Sequence, residues 1–260
     1  MKKILITGAN SYIGTSFEKY MSQWPDDYQV DTIDMIDGSW REKSFAGYDV
    51  VFHVAGIAHQ KETKQNAHLY YEINRDLAVD VAKKAKEDGV KQFIFLSSMS
   101  VYGLDTGVIT NETKPNPKTN YGKSKLQAEE QIVKLRDCIF KVCILRPPMV
   151  YGEGCKGNYN RIISLVKKFP FFPRIRNKRS MVSVGNLGLF IKKLIDKESE
   201  GLYFPQDKEY VNTSKLAKQV ADSIGKKIYM SFFLGFIVTC LKPFSKTVKK
   251  AFGNLIYKGL

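Results

Sequence analysis

Short apolar runs alternate with stretches of helical spacing over the first two thirds of the chain. Residues 3–7, Lys3-Ile4-Leu5-Ile6-Thr7, form the first run, followed by Gly8-Ala9-Asn10-Ser11-Tyr12-Ile13-Gly14 and a helical stretch at 15–23. Further runs occupy 28–33, 49–56, 91–96 and 139–145, with helical segments at 74–88 and 121–136. Apolar runs this continuous suit strands buried on both faces, and their alternation with helices predicts an α/β fold with a doubly wound parallel sheet. Beyond 152, residues 180–197 read as strand and helix, 201–204 as a strand, and Asn212 or Thr213 caps a helix ending near Ile224.

The glycine turn is the first candidate site. A strand, a tight turn and a helix start bring free amides and a helix dipole to one point, which suits a pyrophosphate. The spacing is G-x-x-G-x-x-G with Ser11 at the middle glycine, a residue small enough for the turn and able to donate a hydrogen bond. Asp34 ends the second run, where an acidic residue accepts from the adenosine ribose; Asp31 and Asp37 compete for that role. No arginine follows directly to hold a 2′-phosphate, so NAD is favoured, with NADP the alternative.

The second candidate is Tyr121-Gly122-Lys123-Ser124-Lys125. Tyrosine and lysine four apart share one helical face. An ammonium there favours the phenolate and lowers a value otherwise near ~10, as a general acid/base requires. Upstream, the third run ends in His53-Val54-Ala55-Gly56, small residues against which a cofactor could lie, and the fourth ends in Ser97-Ser98-Met99-Ser100. Ligands of open parallel sheets bind beyond the carboxyl ends of the strands, where these residues stand.

The pieces T-G-A-N-S-Y-I-G, V-F-H-V-A-G, F-L-S-S-M-S-V-Y-G, Y-G-K-S-K and L-R-P-P-M-V-Y-G stand in an order and spacing similar to the extended short-chain dehydrogenase/reductases, in the NAD-dependent sugar-nucleotide epimerase/dehydratase family. The chain resembles the UDP-glucose 4-epimerase-like and 4-ketoreductase subgroup over about residues 1–190. The resemblance implies a Rossmann-like sheet with a small C-terminal substrate-binding region. Residues 1–152 and about 180–198 would bind NAD(P), and 153–179 and 199–260 the nucleotide sugar. It implies that Tyr121 is the acid/base, that Lys125 lowers its pKa and holds the nicotinamide ribose, and that Ser98 bonds the reacting sugar oxygen. The cofactor face would take in Gly8, Asn10, Ser11, Tyr12, Ile13, Gly14, Asp34, Ala55, Asn74 and Ser97, together with Tyr121, Lys125, Pro148 and Val150. Asn158 and Arg179 match positions that contact the substrate diphosphate, although Arg179 also reads as one more cation in the basic run 174–179.

Two departures narrow the chemistry. Sugar-nucleotide dehydratases carry an Asp-Glu pair after the catalytic serine or threonine, and Met99-Ser100 stand there. Dehydration is therefore not expected, which leaves 4-epimerase and 4-ketoreductase as two open reactions. The compact length and the K-G-N…N-K-R-S-M-V-S-V-G-N-L pattern resemble enzymes of surface polysaccharide biosynthesis, which implies a UDP-N-acetylhexosamine or its 4-keto-6-deoxy form as substrate. The segment 28–49 is short for the family, as if one strand-helix unit were compressed. A non-catalytic nucleotide- or RNA-binding relative of the fold is the rival from another class; such relatives usually lose the tyrosine or the lysine, and both are present here.

Composition adds less. The 260 residues suffice for one α/β domain with a small cap. Cys138, Cys143, Cys155 and Cys240 follow no metal spacing and read as reduced core thiols of a cytoplasmic protein. His53, His59 and His68 form no ligand motif, and His53 reads as a satisfied core residue. No metal and no signal peptide are expected. The net charge of +15 suits a dianionic substrate, and no nucleic-acid recognition motif accompanies it. Residues 228–241 are almost wholly apolar and are followed by five lysines and no acid. Fourteen residues are too few to span a bilayer. The segment is expected to pack as a cap helix or a dimer face, with peripheral membrane contact through 228–260 as the alternative. A homodimer is expected, and the chain looks short for the family at its C-terminus.

Overall fold

The computed structural model describes residues 1–58, 60, 62–155 and 158–260, with Asn158 described by its backbone alone. The first half runs β1 (Lys2–Thr7), α1 (Tyr12–Met21), β2 (Tyr28–Ile33), β3 (Val50–His53), α2 (Ala67–Tyr71), α3 (Leu77–Glu87), β4 (Gln92–Leu96), β5 (Gly107–Ile109) and α4 (Asn120–Ile132). It continues with β6 (Lys141–Leu145), β7 (Met149–Tyr151), α5 (Asn158–Lys168), β8 (Phe171–Pro173), β9 (Met181–Ser183) and α6 (Val184–Asp196). The remainder is β10 (Gly201–Tyr203), α7 (Thr213–Ser223), β11 (Tyr229–Ser231), α8 (Phe232–Leu241), α9 (Lys246–Phe252) and β12 (Leu255–Tyr257).

Six parallel strands form the central sheet in the order β10-β6-β4-β3-β1-β2. Every residue of β3 and β4 is buried, because helices cover both faces. One face packs Leu5, Val51, Phe93 and Val142 against α3 and α4, through Val81, Ala82, Ala128 and Ile132. The opposite face packs Ile4, Phe52, Ile94 and Leu145 against α1 and α6, through Phe17, Met21, Leu187 and Ile191. This is the doubly wound architecture expected from the alternation.

Details differ from the pattern where capping and compression act. Helix α1 begins at Tyr12 rather than 15, because Ser11 is its N-cap and accepts from the Gly14 amide at 3.2 Å. The helix therefore starts inside the glycine motif. Between β2 and β3 the chain makes a single 3₁₀ turn, Ser39–Arg41, and buried Trp40 and Phe45 cover the sheet there. That is the compressed unit, and β2 is consequently an edge strand. At α7 the cap is Asn212, whose side chain accepts from the Lys215 amide.

In the second half, β9 pairs with β7, and α6 returns to the main sheet. Strand β10 then pairs with β6 as the other edge of the central sheet, so the boundary expected at 198/199 shifts beyond Tyr203. A smaller core joins α5, α7 and β8 through Val166, Phe172, Ala217 and Val220. Cys143 and Cys155 are buried, but Cys138 and Cys240 are exposed, so the four cysteines are not all core thiols. Helix α8 packs on one side only: Gly235 is buried and Leu234, Ile237 and Val238 are half-buried, while its phenylalanines stay exposed.

Candidate active site

The carboxyl ends of β1, β3 and β4 meet the N-termini of α1 and α4. Gly8 has φ +114°, and a Cβ there would stand 2.8 Å from the Ala55 nitrogen. Only glycine lets the ends of β1 and β3 close together in this way. The Gly8 and Ala9 amides both donate to the Ile33 carbonyl, which brings the turn beside Asp34. Among the described residues the amides of Tyr12 and Ile13 find no acceptor, as expected of a first helical turn. A glycine-lined cradle with two open amides and an acid at its edge fits the pyrophosphate and ribose of NAD. Asp34 is exposed and turns only to the Ile36 amide, whereas Asp31 is held by Gln29 and Tyr48 and Asp37 by Ser39. Of the three acids, Asp34 is the one without a side-chain partner among the described residues.

Helix α4 is capped twice. Thr119 accepts from the Gly122 amide at 3.1 Å, and Glu62 accepts from the amides of Asn120 and Tyr121 at 3.0 and 3.1 Å. A carboxylate at a helix N-terminus is favoured by the dipole. Gly122 is needed because a Cβ would come within 2.7 Å of the Ser100 carbonyl. The helix start is thereby pressed onto the turn that follows β4. The Ser98 hydroxyl donates to Ser100 Oγ at 3.0 Å and stands close enough to the Tyr121 phenol to act on its titration.

Lys125 lies 4% exposed, with Nζ 2.9 Å from the Leu96 carbonyl and 4.6 Å from the centre of the Phe95 ring. Among the described residues Leu96 is its one hydrogen-bond acceptor, so two of its three donors stay open for a ligand. Burial pulls the ammonium down to about 8, against the opposing charge of Glu129. The expected effect on Tyr121 is not realised in the protein alone. Burial raises the phenol above its ordinary value, the nearby Ser98 hydroxyl opposes this, and Lys125 is not among the groups that move it. The reason is geometric, since the ammonium is drawn to the end of β4.

Several expected contacts turn inward. Ser97 donates to Glu129, which pairs with Arg146 at 2.6 Å, and Arg146 also donates to the Tyr102 hydroxyl at 2.9 Å. All four side chains lie in the interior beneath the site, so the Ser97 hydroxyl is engaged there rather than on a cofactor. Asn74 sits in a π-helical turn, Glu72–Asp76, wholly buried. Its Oδ1 accepts from the Ile57 amide and its Nδ2 donates to the Ile57 carbonyl, so it supports the loop after β3 instead of facing a ligand. Tyr12 packs its ring on Gly154, and its hydroxyl lies buried beside Gly152 without a hydrogen-bond partner among the described residues. Burial pushes that phenol up to about 12.

Pro148 is buried and Val150 half-buried on the strand end after β6, and Asn10 takes φ +63° in the glycine turn. Arg179 bridges β-wise to Val211 and Leu255 and donates through Nη1 to the Gly253 carbonyl at 3.0 Å. Burial pulls its guanidinium down, against the charge of Asp105. It is thus a partly sheltered arginine, not a member of a solvated basic run. The side chain of Asn158, and His59, lie outside the described residues. His53 is buried and bonded through Nδ1 to Thr7 Oγ1 at 2.8 Å, and among the described residues Nε2 has no partner, so it is a core residue satisfied there on one nitrogen. Burial and Lys125 pull it down to about 3, and it stays neutral. Among the described residues no group of side chains could hold a metal ion.

Glu62, Glu129 and Arg146 were not legible as site residues. Glu129 did have a signal, standing four residues after Lys125 on the same helical face.

A family model described as "NAD dependent epimerase/dehydratase family" matches residues 4–170. A UDP-glucose 4-epimerase of Vibrio cholerae is 33% identical over 96% of this chain and 83% of its own length. An N-acetyl-alpha-D-glucosaminyl-diphospho-ditrans,octacis-undecaprenol 4-epimerase of Escherichia coli O157:H7 is 30% identical over 86% of this chain and 73% of its own. Among solved structures, a dTDP-4-dehydrorhamnose reductase of Clostridium acetobutylicum superposes with a TM-score of 0.73 at 23% identity, over 88% of this chain and 82% of that one. This last likeness bears on the fold alone.

Proposed function

Since the chain belongs to the NAD-dependent epimerase/dehydratase family, we propose that it is a 4-epimerase of a diphosphate-activated sugar, with a UDP-N-acetylhexosamine as substrate. The observation that carries the reading is the Ser98 hydroxyl set beside the Tyr121 phenol, where it acts to lower the phenol's pKa, with Lys125 one turn further along α4. NAD, when bound, supplies a hydride acceptor at C4 that can return the hydride. Ser98 holds the C4 oxygen. Tyr121 exchanges the O4 proton as C4 passes between alcohol and ketone. Lys125 turns its two open donors to the ribose, and its charge then favours the phenolate. Gly8, the Tyr12 and Ile13 amides and Asp34 would hold the dinucleotide. Arg179 is the candidate partner for the sugar diphosphate.

Epimerisation is favoured over ketoreduction because the relatives from Vibrio cholerae and Escherichia coli O157:H7, 33% and 30% identical, are both named 4-epimerases. The alternative of elimination lacks an acid beside Ser98: Met99 is buried and Ser100 is bonded back to Ser98. The deciding experiment is incubation with NAD and UDP-N-acetylglucosamine, following products by NMR and reduced cofactor by absorbance. Interconversion with the 4-epimer without net cofactor change is expected. Stoichiometric consumption of NAD(P)H with a 4-keto sugar, and no epimer, would make it a reductase.

A further inference from the structure

The C-terminal segment presents an apolar face that the rest of the chain does not cover. In α8, Phe232, Phe233 and Phe236 are 70%, 72% and 68% exposed, and Phe244 just beyond is 87% exposed. At about 100° per residue the three helical phenylalanines fall within roughly one quadrant of the helix. An adjoining side is pinned, because Gly235 comes so near the Arg174 carbonyl that a Cβ would stand 2.3 Å from it. The neighbouring β8–β11 pair extends the face with Phe171 and Tyr229, also exposed and with their rings 5.8 Å apart. An exposed aromatic patch of this kind marks an interaction surface.

The charge around the patch identifies what it meets. Residues 223–260 hold seven lysines and no acid. Among the described residues none of these lysines forms an ion pair. At the C-terminal end of α8 a cavity of about 580 Å³ is lined by Arg176, Lys178, Lys242 and Lys249, with no carboxylate in its wall. Arg174 lies 4.4 Å over the Phe232 ring, so cations also flank the start of the helix. Phenylalanines between lysines suit the boundary between acyl chains and anionic headgroups. A second copy of the same face would set like charges against each other. Among the described residues no helix is long and apolar enough to cross a membrane, so the contact would be superficial.

We propose that α8, the β8–β11 pair and the basic cavity form a docking surface for an anionic lipid bilayer. Phe232, Phe233 and Phe236 enter the headgroup boundary, and the cavity lysines and Arg176 receive lipid phosphates. The inference does not depend on which sugar is turned over, and its test uses no turnover.

The full chain is to be floated with vesicles of phosphatidylcholine containing one quarter phosphatidylglycerol, and with pure phosphatidylcholine vesicles. Binding to the anionic vesicles at least tenfold tighter, and weakened by high salt, is expected. The triple variant F232S/F233S/F236S should lose at least tenfold in affinity with an unchanged thermal melt, since these side chains contact mainly solvent. The single variant F233W adds an independent reading: a blue-shifted emission, quenched by brominated acyl chains, only with anionic vesicles. Absence of vesicle binding by the wild-type chain would overturn the proposal. So would a dimer in light scattering that the triple variant dissolves while the wild type ignores vesicles, which would assign the face to a second copy. Equal binding of wild type and triple variant would reject the phenylalanine face as well.

Discussion

The ammonium of Lys125 donates to the carbonyl of Leu96 at 2.9 Å, tying the second turn of α4 to the last residue of β4. Ser98 stands two residues past that carbonyl and Tyr121 one turn before that ammonium. The single bond therefore ties the strand end carrying Ser98, the proposed substrate contact, to the helix carrying Tyr121, the proposed acid/base. Tyr121→Phe removes the phenol and leaves this bond intact. Turnover should fall by roughly 10²–10⁴ or more, while NADH affinity, read by fluorescence titration, stays within about threefold of wild type. Full activity in this variant would remove Tyr121 from the chemistry.

Lys125 also predicts a pH dependence of stability. Its folded value of about 8 lies below the ordinary 10.5. Between those values the unfolded chain holds a proton that the folded protein has released, so stability of the cofactor-free protein rises with pH across that window. The contribution is at most about 3 kcal/mol. Lys125→Met should lack the rise and should be the more stable protein at pH 7, less about 1 kcal/mol for the lost Leu96 bond, while turning over no sugar. Urea titrations of both proteins at pH 7 and pH 9 check this; parallel slopes would contradict it.

The Glu129–Arg146 pair lies under the site at 5% and 8% side-chain exposure. Glu129→Gln leaves a buried guanidinium without its counter-charge and should cost about 3–5 kcal/mol. The double variant Glu129→Leu/Arg146→Met should recover most of that, because a well-packed apolar pair carries no desolvation penalty. Denaturant midpoints of the two variants give the comparison. A double variant no better than the single would mean that Ser97 and Tyr102, left without partners, dominate the cost.

Gly8→Ala tests the cradle. A side chain at φ +114° is strained by about 1–3 kcal/mol, and the Cβ would push the Ala55 strand end away. Stability should drop by at least that amount and NAD affinity by at least tenfold, measured by calorimetry. Wild-type affinity in a folded Gly8→Ala protein would place the pyrophosphate elsewhere.

Much of the site was legible because its determinants are local. Strand Lys2–Thr7 and the glycine turn are contiguous, and the i, i+4 relation of Tyr121 and Lys125 follows from helix geometry alone. Spacing cannot state which way a side chain turns at the end of a strand. Ser97 and Ser98 are neighbours of one residue type, and adjacent strand residues face opposite sides. The inward one met Glu129 and the outward one met Tyr121. Asn74 and Glu62 likewise depend on loops whose partners lie 17 and 58 residues away.

The sequence by itself determined the α/β alternation, the glycine turn at Gly8 and the one-turn separation of Tyr121 and Lys125 on α4, because each rests on periodicity or on residues close in the chain. Only the tertiary structure decided that Lys125 is drawn to Leu96, that Ser97 belongs to a buried ion network, and that α8 keeps its phenylalanines uncovered. Those outcomes depend on which surfaces packing brings together, and an apolar run reads the same in sequence whether or not another part of the chain covers it.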